Sequence, residues 1–272
     1  MPLHAARPQI ASVLAASVVI ALGVTAPARA DVLDITSEGA AYGYDVAELH
    51  DSLFTFPENG LHAIAVYSGA DKLAGTDLTT SKAFSAAVVF CTDVQNYLQN
   101  PSYTFKVGAL SDTVTNATKA TQIEALVSNG SQLLASNHDT VNGHTYTATQ
   151  ISSALQIAVW TAEYQTGTTA YNDGNSSRGF WTTPYPGYNI AADLTLANVF
   201  LGYVDTSSPA WTTSGSFVQL EPLNPVNNQD LTYFVGGTLA GNPNLPVVEP
   251  AALSLLGLGV AGLLAARRRR AA

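Results

Sequence analysis

The chain has 272 residues, with 11 basic against 20 acidic side chains for a net charge of −9, and only 11% of its residues are charged. That length suits one domain, or one domain with an inserted subdomain, and the acidic balance makes nucleic acid a poor partner. Thr, Ser, Asn and Gly are plentiful, which suits a β-rich protein whose surface is polar rather than charged.

The first 30 residues read as a secretory signal. Arg7 supplies a positive start, Ile10 to Val24 an apolar run, and Ala28-Arg29-Ala30 a small-x-small cleavage pattern, so cleavage is expected between Ala30 and Asp31. A transmembrane helix is the rival reading, but the run falls short of the roughly 20 apolar residues a span needs. Two arginines go with this segment and four with the C-terminal run. The domain between them keeps five basic residues against nineteen acidic ones.

The domain is expected over residues 31–236. Its first stretch, to Asn59, has no clear pattern. Leu61 to Tyr67 and Phe84 to Thr92 read as strands from their β-branched and aromatic content, and Ser102 to Val107 alternates like a third. Ala117 to Ala135 has helical spacing interrupted at Asn129-Gly130, which predicts two short helices or one broken helix. Thr147 to Gln165 is the clearest helix, with Ala148, Ile151, Leu155, Ala158 and Ala162 in one stripe that Val159 widens. Gly167 to Tyr188 reads as a loop and Ile190 to Val204 as another helix. Ser216 to Leu220 and Leu231 to Val235 read as strands, separated by the proline-punctuated stretch from Glu221 to Pro225. Strands, then helices, then strands again predict an α+β fold: a β-sandwich or barrel with an inserted helical subdomain.

Residues 237–247 read as a linker and 248–272 as a tail. Its stretch at about 251–266 is apolar or small apart from Ser254, and ends on Arg267, Arg268, Arg269 and Arg270, which favours a cytoplasmic end for a short membrane segment. Val248-Glu249-Pro250, the Gly/Ala/Leu-rich span and the basic end together resemble a PEP-CTERM sorting signal, although the family usually has proline where Val248 stands. The resemblance implies an exported protein of a Gram-negative bacterium that makes exopolysaccharide. It would be anchored transiently in the inner membrane through the tail, then processed by an exosortase and left at the cell surface or in the matrix.

Cys91 is the only cysteine and ends the most apolar strand. Exported proteins normally use cysteines in pairs, so a lone one needs an account; the bland account is a small buried hydrophobe. A second segment bears on it. Gln156 lies in Leu155-Gln156-Ile157-Ala158-Val159-Trp160, inside a helix apolar on nearly every side, where an unpartnered amide costs on the order of 1–3 kcal/mol. Phe90-Cys91 with Asp93 beyond it, and Gln156 followed by Val159-Trp160, resemble the two motifs of the thioester domains of bacterial surface adhesins. The resemblance implies that the Cys91 thiol attacks the Gln156 side-chain carbonyl, expels ammonia and leaves an internal thioester. The chain departs from the family at Thr92, where an aliphatic residue is usual, at Leu155, where threonine is common, and in a shorter separation of the pair. Gln150 is a competing glutamine, but Ser153 and Ala154 follow it where the motif wants large hydrophobics. Such a bond needs shielding from water, expected of Phe90 and Trp160, and its cross-link is worth about 4 kcal/mol by analogy with a disulfide.

Other constellations are weaker. His138 and His144 flank a turn at Asn142-Gly143, and His50 and His62 lack metal-ligand spacing. Asp71, Asp77, Asp173 and Asn175 could belong to a calcium loop but complete no known pattern. Trp181, Tyr185 and Tyr188 could stack on sugar rings or pack across a loop–domain seam. The expectation is therefore a surface or matrix protein without metal or cofactor. Its thioester attaches once to an amine or hydroxyl on a target macromolecule, which is not enzymatic turnover. An exopolysaccharide-binding or structural module with an inert Cys91 is the first alternative, and a secreted cysteine hydrolase the second.

Overall fold

The computed structural model describes residues 32–56, 61–78, 81–96, 103–137, 139–207, 209–213, 216–224 and 229–235. The signal segment with Ala30 and Asp31, His138, the 237–247 linker and the tail lie outside the described residues. So do the tail's Val248, Glu249, Pro250, its 251–266 stretch and Arg267 to Arg270. Among the described residues no helix is long and apolar enough to cross a membrane.

In chain order the elements are β1 (Val32–Ala40), β2 (Asp45–Asp51), β3 (Ala63–Ser68), β4 (Asp71–Asp77), β5 (Lys82–Cys91), β6 (Tyr103–Gly108) and α1 (Ala117–Ala135). There follow β7 (Thr140–Val141), β8 (His144–Thr145), α2 (Ala148–Tyr164), β9 (Phe180–Pro184), α3 (Ala191–Tyr203), β10 (Ser216–Asn224) and β11 (Leu231–Val235). Six strands close an antiparallel barrel in the order β1-β4-β5-β11-β10-β6, and β3-β2-β9 form a separate three-stranded sheet. The helices enter the chain between barrel strands β6 and β10. The fold is thus α+β, a barrel with a helical insertion, as the sequence pattern predicts.

The double apolar character of β5 has a direct cause. Val89 and Cys91 turn into the barrel with Leu33, Leu73, Phe105 and Tyr233. Val88 and Phe90 turn the other way, onto a second core with Ile123, Leu126 and Leu155 of the helices. A strand covered on both faces reads as a continuous apolar run rather than an alternation.

Several expectations need correction. The stretch before Asn59 holds β1 and β2, and the loop from Gly167 to Tyr188 holds β9. Strand β4, DKLAGTD, has too little apolar content to stand out in sequence, yet it pairs with both β1 and β5. β10 does not stop at Leu220. It runs on through Pro222, opposite Phe105 of β6, and its register shifts between Pro222 and Asn224, an irregularity of the kind a proline without an N–H tolerates. α1 is one unbroken helix: a Cβ at Gly130 would lie 2.4 Å from Leu155 Cδ2, so this glycine serves close helix–helix approach rather than a break. The turn at Asn142-Gly143 is as expected, with φ of 50° and 80° joining β7 to β8.

Thr147 caps α2 and Gln150 completes its capping box, the Thr147 N–H donating to Gln150 Oε1 at 2.9 Å. At the other end Lys119 Nζ, from the first turn of α1, donates to the carbonyls of Glu163 and Gln165 at 2.6 Å each. These are orphan carbonyls of the last helical turn, and a cation there also suits the helix dipole.

Candidate functional site

Helix α2 is buried almost all round, so its polar residues must find partners inside the protein. Four of them find partners along one line. Thr149 Oγ1 donates to the Tyr42 carbonyl at 2.6 Å, and Ser152 Oγ accepts from the Ala70 N–H at 2.8 Å. Ser153 Oγ meets Ser68 Oγ at 2.7 Å. One turn further on comes Gln156. Its Oε1 accepts from the Cys91 N–H at 2.9 Å, and its Nε2 donates to the Cys91 carbonyl at 2.8 Å.

The register explains why the Cys91 peptide is open to a side chain. β4 begins at Asp71, opposite Val89, so the edge of β5 that β4 covers ends two residues short of Cys91. Toward β11, the next peptide bond is already used: the Thr92 N–H donates to the Asp230 carbonyl at 3.0 Å. The Gln156 amide takes the place of the missing β4 residue. Both its polar ends are satisfied, so the buried glutamine that has few obvious partners in sequence is fully paired in the fold. The arrangement also holds the carboxamide carbon against the residue that carries the sulfur.

The segment after Cys91 is pinned as well. Thr92 Oγ1 accepts from Gln219 Nε2 at 2.9 Å, and the Thr92 carbonyl accepts from the Tyr164 hydroxyl at 3.2 Å. Asp93 folds the turn, accepting from the Gln95 N–H at 2.7 Å and Asn96 Nδ2 at 2.6 Å, while its carbonyl accepts from Gln229 Nε2 at 2.8 Å. The peptide around Cys91 is therefore fixed on both sides of the residue.

Cys91 is a free cysteine, only 7% exposed, at the base of a cleft of about 600 Å³. Trp160 lines the cleft beside it, and tyrosines form its walls: Tyr44 and Tyr67 on one side, Tyr185 and Tyr188 from the loop between β9 and α3. Burial, and then the nearby carboxylates of Asp71 and Asp93, push the Cys91 thiol well above its ordinary range. The thiol is therefore neutral at physiological pH. The Tyr44 hydroxyl donates to Asp71. Burial lifts the Asp71 carboxyl, and the hydroxyls of Tyr44 and Ser37 partly offset that.

The residues singled out in sequence divide between two places. Cys91, Gln156, Asp93 and Trp160 meet at the cleft or directly behind it. Phe90 and Val159, both fully buried, belong to the helical core on the other face of β5. Phe90 therefore holds strand against helix and does not line the Cys91 cleft. Gln150 is occupied by its capping box. Trp181 stacks on His50 with ring centroids 5.0 Å apart, which is packing at the strand edge, whereas Tyr185 and Tyr188 reach the cleft. His50 contacts Thr183 and Glu48, His62 faces the carbonyls of Asp51 and Phe54, and neither lines the cleft. Asp71, Asp77, Asp173 and Asn175 do not converge, and no group of three metal-binding side chains forms among the described residues. Sequence reasoning missed Tyr44 and Tyr67 and named Asp71 only for a calcium loop; Tyr44 and Asp71 border strands it did not resolve, whereas Tyr67 lies on a strand it did expect.

No curated protein and no solved structure matches the chain. Residues 246–270 match the family model described as the PEP-CTERM protein-sorting motif, covering Val248, Glu249, Pro250 and the arginines. The C-terminus is therefore a sorting signal of the kind exosortases process, and it marks the chain as an exported, surface-associated protein of a Gram-negative bacterium.

Proposed function

We propose that this surface protein captures its target covalently, through a thioester between Cys91 and Gln156. The observation that carries the reading is the paired docking of the Gln156 carboxamide on the Cys91 peptide, at the base of an open cleft. In the forming step the sulfur adds to Gln156 Cδ, the C–N bond breaks, and the thiol proton leaves with the departing ammonia. An amide is a poor electrophile, and holding the two groups together removes several kcal/mol of barrier. In the capture step an amine or hydroxyl of the target attacks the same carbon, the C–S bond breaks, and Cys91 is released as a thiol. Each molecule reacts once.

Intact mass on the purified domain tests this. The domain should weigh less than its sequence by one ammonia, and native Cys91 should resist alkylation. Methylamine should add at Gln156 and free one thiol. Cys91→Ala and Gln156→Ala should have full mass and take up no amine, while Gln150→Ala should still condense. A wild-type mass equal to the sequence sinks the reading, whatever the alkylation of the buried Cys91. In the native host the mature protein should lack peptides from near Val248 onward, and deleting Ala251 to Ala272 should mis-sort it.

One observation favours a second reading. Gln156 is fully hydrogen-bonded as an ordinary amide, so it also suits a structural clamp in a module that binds its target non-covalently with Cys91 inert. The same mass measurement separates the two.

A further inference from the structure

The cleft over Cys91 has a chemical character that narrows what can enter it. Among the described residues, none of the side chains lining it is charged. Its polar lining residues include four tyrosines and the neutral amides Asn96 and Gln229. Its volume, about 600 Å³, lies inside the roughly 300–1,000 Å³ of small-ligand clefts.

The tyrosines are exposed rather than packed away: Tyr67 is 71% exposed and Tyr188 50%. They stand as two pairs from separate parts of the fold. Tyr44 and Tyr67 have ring centroids 5.6 Å apart, and Tyr185 and Tyr188 are 6.1 Å apart. Exposed rings around a concave site present apolar faces with hydroxyls at their edges, a surface for a ligand that is itself apolar on one side and hydroxylated at its rim.

We propose that the acceptor acylated at this site is a hydroxyl of a neutral saccharide, seated between the Tyr44–Tyr67 and Tyr185–Tyr188 pairs. The proposal rests on the thioester reading and names its substrate class. A lysine ammonium entering the cleft would lose water, and among the described residues the lining offers it ring faces but no carboxylate in direct contact. The carboxylates near Cys91 lie behind the lining and are already engaged, Asp71 by the Tyr44 hydroxyl and Asp93 by the Gln95 N–H and the Asn96 amide. An anionic polysaccharide is opposed by the acidity of the domain. A neutral sugar meets neither penalty.

A hydroxyl also needs a base, and one is present. Tyr44 lines the cleft and donates to the largely buried Asp71. As the sugar oxygen bonds to Gln156 Cδ, its proton passes to Tyr44 Oη while Tyr44 hands its own to Asp71. The C–S bond then breaks, and the thiolate takes the proton back along the same path. The products are an ester on the former Gln156 carbonyl and a free Cys91 thiol.

The test incubates the mature protein separately with neutral hexose oligosaccharides, a lysine-containing peptide and methylamine, and follows intact mass. The expected result is one oligosaccharide added at Gln156, removable by hydroxylamine, and formed faster than the peptide adduct. Tyr67→Ala and Tyr188→Ala should each slow the saccharide reaction by roughly tenfold, Tyr67→Trp should restore it, and Tyr44→Phe should slow the chemical step at saturating saccharide. Methylamine uptake without any saccharide adduct, or a lysine peptide acylated faster, overturns the saccharide proposal and leaves the thioester standing. Failure of methylamine as well overturns both.

Discussion

Gln156 and Cys91 lie 65 residues apart and are joined by two reciprocal hydrogen bonds, amide oxygen to N–H and amide nitrogen to carbonyl. A glutamine side chain thus stands in for a strand residue at the uncovered end of β5. Removing either residue acts on a shared unit, but not equally.

Cys91→Ala keeps the peptide that Gln156 binds and loses only the cross-link of the condensed domain, about 4 kcal/mol. Gln156→Ala loses the cross-link too and leaves unpaired both the N–H and the carbonyl that the intact amide still binds in Cys91→Ala, each a buried group costing about 1–3 kcal/mol. Denaturant melts should rank Gln156→Ala below Cys91→Ala, with the double variant little worse than Gln156→Ala. Fully additive losses would mean the residues do not act together.

The thiol should be hard to ionise. In methylamine-treated protein, iodoacetamide should alkylate Cys91 slowly at pH 8, and the rate should still be climbing above pH 9, because burial, Asp71 and Asp93 all disfavour the thiolate. Asp71→Asn removes one of those charges and should move the profile to lower pH. A profile like that of free cysteine, unmoved by Asp71→Asn, contradicts this account.

Stability should fall as pH rises through neutrality. Burial pushes the Asp173 carboxyl up to about 7, only partly offset by the Thr161 hydroxyl at 3.0 Å. The folded state keeps this proton up to about pH 7, whereas the unfolded chain releases it near 4. The stability it contributes is full below about pH 4 and is lost as pH rises through 7, on the order of 2–4 kcal/mol. Asp193, beside Asp45, and Asp230, beside Asp93, are pushed the same way. The melting temperature should drop from pH 5 to pH 8, and Asp173→Asn should flatten that drop.

At Gly130 two effects oppose each other. Alanine gains about 1 kcal/mol of helix propensity, but its Cβ would meet Leu155 Cδ2 and Cδ1 at 2.4 and 2.5 Å. Leu155 is fully buried, so overpacking of about 1–3 kcal/mol should win and Gly130→Ala should lower the melting temperature. Leu155→Ala in the Gly130→Ala background should cost less than Leu155→Ala alone. Equal costs would show that the two side chains do not compete for space.

By itself the sequence determined what local pattern can carry. The apolar run of β5, the periodic α2, the Asn142-Gly143 turn and the sorting tail are legible in short windows, because period and composition are local, while the link between Cys91 and Gln156 is legible only through the resemblance of their two motifs. Only the tertiary structure decided that β4 and β9 are strands, since their hydrogen bonds come from β1, β5 and β2 rather than from their own side chains. The same holds for Phe90, sent to the opposite face from Cys91 by strand alternation, and for Gln156, which meets an open peptide only because β4 begins at Asp71. It holds also for Tyr44, Tyr67, Tyr185 and Tyr188, which no spacing connects. A ladder edge and a cleft are made by segments distant in sequence, and their positions follow from which strands pair and where that pairing ends.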